Sequence, residues 1–139
     1  MVISGALQGV SAYLVSVEVD ASRGLPIFSM VGSLSQEVRE SRERVLVALK
    51  NVGLHLPPCH ITVNLSPADR RKEGTAFDLP IAVGLLEALE IVPKEAGDGI
   101  LFLGELGLGG ELKMIRGVLP MVRAAAAQGI RQCIVPTAN

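Results

Sequence analysis

One stretch constrains the fold more than any other: Ser66-Pro67-Ala68-Asp69-Arg70-Arg71-Lys72-Glu73-Gly74-Thr75-Ala76-Phe77-Asp78-Leu79-Pro80. The residues before it, Ile61-Thr62-Val63-Asn64-Leu65, read as a strand, and those after it, Ile81 to Leu89, as an apolar helix. The chain must therefore pass from sheet to helix through a charged loop, the kind of connection on which binding residues commonly sit. Pro80 sets where the helix begins. Its missing N–H costs nothing only in the first turn, so Asp78 is the expected N-cap.

The remaining elements follow from patterning. Val2 to Asp20 is β-like, with a break near Gly9 and Ser11, and Leu25 to Gly32 reads as a third strand with Pro26 at its start. The first helix is capped by Ser33 or Ser35, carries Val38, Val45, Leu49 and Val52 on one stripe, and ends at Gly53. On its polar face Glu40 and Arg44 stand in the favourable i,i+4 order. Leu101 to Leu106 and Glu111 to Lys113 read as hairpin strands joined through Gly107-Leu108-Gly109-Gly110. A third helix runs from Val118 to Gln128, and Ile130 to Val135 is a last strand. Strands mixed with about three helices predict an α+β fold with a mixed sheet.

The 139 residues, 49% of them hydrophobic, suffice for one core, so residues 1–139 are read as a single domain. Thirteen basic against fourteen acidic residues exclude a uniformly positive coat for nucleic acid, leaving only a local patch. With no Trp, one Tyr and three Phe, a base-stacking surface is poorly supplied. Two cysteines are too few for a disulfide framework. Ser4, Gln8, Ser11 and Ser16 interrupt the apolar N-terminus, so no membrane span is expected and the cytoplasm is the expected compartment.

Several motifs invite chemistry. Gly107-Leu108-Gly109-Gly110 fails as a dinucleotide loop, because Leu112 stands where a glycine is needed and a strand follows instead of a helix. No Gly-x-x-x-x-Gly-Lys-[Ser/Thr] occurs, so no nucleotide is expected on such a loop. Cys59 and His60, near His55, would point to opposite faces of a strand, which disfavours a metal site. Glu105 and Glu111 could form a carboxylate pair across the hairpin. Arg70, Arg71 and Lys72 form a basic run suited to phosphate or partner contacts, and Lys113 and Arg116 would join it if the segment after the hairpin lies nearby.

Taken together, Glu40-Ser41-Arg42-Glu43-Arg44-Val45, Ile61 to Asp69, Lys72-Glu73-Gly74, Phe77-Asp78-Leu79-Pro80-Ile81-Ala82 and Phe102-Leu103-Gly104-Glu105-Leu106 occur in an order that closely resembles the N-terminal domain of ComM/YifB-type proteins. These are bacterial AAA+ ATPases related by label to the ChlI subunit of magnesium chelatase. The same segment looks like the proteolytic domain of Lon, implying the ribosomal protein S5 domain 2-like fold. In Lon a nucleophilic Ser lies two residues after a Lys-Asp-Gly, and here Lys72-Glu73-Gly74 brings that position to Ala76. The Lon lysine, counted back from Gly129-Ile130, falls on Leu119. Thr75 has a hydroxyl next door, but residues 114–139 contain no lysine, and arginine stays protonated.

The resemblance therefore implies no catalytic residue, metal or cofactor within these residues, with ATP and Mg expected in an AAA+ module downstream. It implies a parent that self-associates into a ring and drives DNA branch migration in natural transformation, with no membrane partner. Two other readings stand beside it: a protein-interaction or oligomerisation module without a nucleic-acid role, and a motor subunit of a metal-chelatase complex.

Overall fold

The computed structural model describes residues 1–139. The strands are β1 (Val2–Gln8), β2 (Ser11–Arg23), β3 (Ile27–Val31), β4 (Cys59–Ser66), β5 (Ile100–Phe102), β6 (Glu105–Leu106), β7 (Leu112–Lys113) and β8 (Gln132–Ile134). The helices are α1 (Gln36–Arg39), α2 (Ser41–Asn51), α3 (Asp78–Ala88) and α4 (Val118–Ala127). Six strands form one sheet in the order β3-β4-β2-β1-β5-β8, and β6 and β7 form a separate ribbon. Pairing is antiparallel for β1–β2 and β2–β4 and parallel for β3–β4, β1–β5 and β5–β8. The expected mixed sheet and three principal helices are present.

Alternation along β1 and β2 divides the core between the two sheet faces. Val2, Ala6, Val15 and Val17 pack with Val38, Val45, Ile81 and Leu85 of the α1, α2 and α3 side. Ile3, Ala12 and Leu14 face Met121 and Ala125 of α4. Two glycines set how closely the helices approach. A Cβ on Gly84 of α3 would lie 2.7 Å from Val19 Cγ2, and one on Gly5 of β1 would lie 3.1 Å from Met121 Cβ.

Five expectations need correction. The first helix is broken at Glu40, with Ser35 capping α1 through Val38 N–H at 3.3 Å. The break arises because Arg44 Nη2 donates to the Glu37 carbonyl at 2.9 Å while Ser41 turns its hydroxyl towards Asp78. Arg44 thus pairs with Asp78 rather than Glu40. Asp78 is the first residue of α3 rather than its N-cap, which is Phe77. Its carboxylate serves other elements, so it is not available to its own helix.

The expected strand 101–106 is also divided. Leu103 N–H donates to Ile134 O, after which Gly104 exchanges backbone bonds with Ala76 and Leu79 and the chain leaves the sheet. In the resulting ribbon Glu105 stands opposite Lys113, not Glu111, which removes the carboxylate pair.

Asp78 is fully buried, and its carboxylate accepts from Ser41 Oγ (2.5 Å), from Arg44 Nε (2.6 Å) and Nη2 (3.1 Å), and from Leu106 N–H (3.0 Å). One carboxylate thus ties α2, α3 and β6 together. Burial pushes its pKa up, and the bonds from Arg44, Ser41 and Leu106 only partly oppose that. Replacing Asp78 by Ala leaves Arg44 without its partner, and urea denaturation is expected to show a loss of about 3–5 kcal/mol. A raised folded-state pKa means that this carboxyl's contribution is fully present below the unfolded value near ~4 and is lost as pH rises through the folded value. Relative to Asp78→Asn, the native chain should therefore lose stability as pH rises above that range; a pH-independent difference would contradict the assignment.

Candidate functional site

The charged loop is anchored at its middle. Lys72 N–H donates to Ser33 O at 2.9 Å and Ser35 N–H to Lys72 O at 3.0 Å, so the loop pairs with the segment joining β3 to α1. The Lys72 side chain is 0% exposed. Its ammonium donates to the carbonyls of Gly32 (2.5 Å), Arg70 (2.7 Å) and Pro67. An ammonium has three hydrogens and all have partners. Burial lowers its pKa, with Asp69 opposing. Lys72 is thus a clasp inside the loop and cannot serve as the surface contact expected from the basic run.

The other members of the run do reach solvent. Arg71 is exposed and lies 3.5 Å from the exposed Glu73, a pair of little energetic weight. Arg70 places its guanidinium 4.6 Å from the centroid of the Tyr13 ring on β2, which holds the cation against the sheet. The Tyr13 hydroxyl is buried without a partner, and burial raises its pKa, against the lowering effect of Arg70.

Beyond the clasp, Gly74 N–H donates to Glu37 Oε1 at 2.6 Å, bending the chain into α3. This bend forms one wall of a cleft of about 330 Å³ lined by Leu7, Glu37, Glu73, Gly74, Thr75, Ala76, Ile115, Arg116 and Met121. Ala76 is buried at its base. Arg116 lines the cleft with the 73–76 segment and makes no ion pair. Lys113 lies outside the cleft, exposed in the ribbon opposite Glu105. Leu119 is 68% exposed and borders a different depression with Val118, Pro120 and Val122. Met121 is the α4 side chain that meets the cleft.

The cleft therefore offers the Thr75 hydroxyl, one guanidinium and two carboxylates, and no amine lines it. A guanidinium does not accept a proton from a hydroxyl. Cys59 faces the core while its neighbour His60 is exposed, on opposite faces of β4 as the strand pattern predicts. Sequence reasoning missed Glu37 and Met121. Glu37 reads as one more charge on a helix, and only the tertiary fold brings it to Gly74.

Comparison with known proteins identifies relatives of this chain. The family described as subunit ChlI of Mg-chelatase matches residues 17–139. The chain is 42% identical over 139 residues to competence protein ComM of Haemophilus influenzae, covering all of this chain and 27% of ComM. It is 42% identical over 134 residues to YifB of Escherichia coli, covering 96% of this chain and 26% of YifB. Lon protease 2 of Bacillus subtilis is 29% identical over 115 residues, covering 78% of this chain and 20% of that protease. The chain thus spans about a quarter of the length of the ComM and YifB relatives, corresponding to their N-terminal part.

The clasp has a direct test. Lys72→Met leaves the Gly32, Pro67 and Arg70 carbonyls without this donor and should cost roughly 2–4 kcal/mol in urea denaturation. Arg71→Glu, on the exposed rim, should stay within about 0.5 kcal/mol of the native chain. Equal effects of the two substitutions would contradict the distinction.

Proposed function

The chain belongs to the family of the ChlI subunit of Mg-chelatase, and from that we propose that it is a non-catalytic N-terminal module of a ComM-like AAA+ protein. The intact protein would be an ATP-dependent motor for DNA branch migration, with ATP and Mg held by its AAA+ portion. The supporting likeness is 42% identity to ComM over all 139 residues. The single observation that carries the non-catalytic reading is the cleft beside Gly74. A Lon-like serine would stand there at the position of Ala76, and a methyl group cannot attack a peptide carbonyl. Leu119, at the lysine position, likewise provides no amine, and its side chain borders another part of the surface.

The module's contribution to the motor is a cationic rim for phosphate. Arg70, stacked over Tyr13, and the exposed Arg71 present guanidinium groups on the loop, with Arg116 at the cleft. Lys72 stands behind them, shaping the loop. Such contacts position a nucleic-acid backbone without reading sequence, in keeping with the scarcity of aromatic side chains.

Arg70→Glu with Arg71→Glu should weaken binding of duplex DNA and flatten the plot of log affinity against log salt by roughly 2, since each phosphate contact contributes about 0.9. An unchanged affinity and slope would remove the DNA-facing role. Incubation with casein should leave the substrate intact, both for the native chain and for Thr75→Ala; degradation that disappears in Thr75→Ala would overturn the non-catalytic reading.

A further inference from the structure

Strand β2 outruns one of its neighbours. Its pairing with β1 stops at Val17, opposite Val2, whereas its pairing with β4 continues to Arg23. Met1 adds nothing to that ladder, and its ammonium lies 3.4 Å from Asp98, just ahead of β5. Residues 18–23 therefore form a short open edge within the sheet, paired on the β4 side alone. Alternate residues there turn their N–H and C=O groups to the open side, and no loop bonds to them. The stretch contains no proline, so its backbone can accept a strand.

The open side is a depression of about 570 Å³ between this edge and α3, walled by Glu18, Asp20, Gly84, Glu87, Ala88 and Lys94. Glu87 is only 6% exposed, and its carboxylate has a single partner, the Gly97 N–H, which donates to Oε2 at 3.0 Å. Oε1 has no partner, and no cation of the chain pairs with Glu87, Glu18 or Asp20. Glu18 accepts only from the neutral Asn64 and Ser66. Lys94, the one cation on the wall, is turned to Glu90 at 3.3 Å. A buried carboxylate without a counter-charge is costly, and the chain supplies none here. No three acidic, His or Cys side chains are grouped to hold a metal ion. The cation that suits this place is an organic one, an ammonium or a guanidinium.

We infer that this notch receives an extended basic segment of a partner protein, added as a strand antiparallel to β2 and in line with β1, with a lysine or arginine directed at Glu87. Successive side chains of such a strand point to opposite faces. One turns to the α3 side, where Val17 and Val19 already pack, and meets Glu87. The next turns to the other face and meets Asp20 and Glu18. Two adjacent basic residues therefore satisfy both faces, while backbone bonds to the open edge supply affinity for any extended chain. Three carboxylates repel phosphate, so this surface is separate from the arginine rim and does not depend on the DNA-facing reading. It lies towards the opposite end of β2 from Tyr13, over which Arg70 stacks.

The probe is a fluorescent, end-capped hexapeptide, Thr-Val-Lys-Arg-Val-Thr, followed by anisotropy as the native chain is titrated in. Binding should fall in the micromolar to submillimolar range and weaken as salt rises. Glu87→Gln keeps an amide oxygen for Gly97 N–H, and Asp20→Asn lies on the exposed face, so circular dichroism of both should stay native. Each should weaken binding about fivefold or more. A peptide with Glu-Glu in place of Lys-Arg should not bind. One with both valines replaced by proline should bind roughly tenfold more weakly, because proline cannot donate to a ladder. Amide resonances shifted by the peptide should belong to residues 18–23 and 84–88. Absence of binding, native affinity in both Glu87→Gln and Asp20→Asn, or shifts confined to the cleft beside Gly74 would overturn the proposal. Undiminished binding of the proline peptide would overturn it equally, since strand addition would then play no part.

Discussion

The Asp78 carboxylate, carried into the interior at the start of α3, is the interaction on which the architecture turns. Four hydrogen bonds from Ser41, Arg44 and Leu106 offset part of the cost of its burial. The donors lie on α2 and on β6, so meeting the needs of one anion fixes where α2, α3 and the β6–β7 ribbon lie. Ser41 and Arg44 meet that demand from the first turn of α2, just past the break at Glu40. Once that bend is made, Glu37 is free to take Gly74 N–H, and the cleft acquires its wall. A single desolvated charge thus links helix geometry to site geometry.

Lys72 plays the same part in the middle of the loop. A lysine beside two arginines reads as one more cation for a ligand, yet its ammonium turns inward and gathers three carbonyls. Gly32 lies just after β3, and Pro67 and Arg70 lie just after β4, where no helix or strand ladder supplies their carbonyls with a donor. The outward display of Arg70 and Arg71 depends on this arrangement. The two arginines keep their positions because the third cation has given up its own exposure.

What was legible in the sequence was whatever short-range periodicity records. Alternation placed Cys59 and His60 on opposite faces, Pro80 located the first turn of α3, and Gly129 closed α4. The family motifs also led to the segments that meet around the cleft. Features set by distant partners were not legible. Glu40 and Arg44 have ideal helical spacing, but a buried carboxylate 34 residues away from Arg44 is a stronger partner than an exposed one nearby. Likewise Leu103 and Gly104 look like the middle of a strand, and only their bonds to Ile134 and Ala76 show why the strand is cut there.

The strand order has a consequence for how the chain is made. β1 lies in the interior of the sheet, yet its parallel neighbour β5 begins only at Ile100, and β8 is added at Gln132. As synthesis proceeds from the N-terminus, the β1–β2 hairpin emerges early and can recruit β4, but the far side of β1 must wait for about a hundred residues to leave the ribosome. During that interval an apolar strand has an unfilled flank, and Ile3, Leu14 and Gly5 wait uncovered for α4. A nascent chain built this way has its window of greatest vulnerability to aggregation set by topology, before any question of final stability arises.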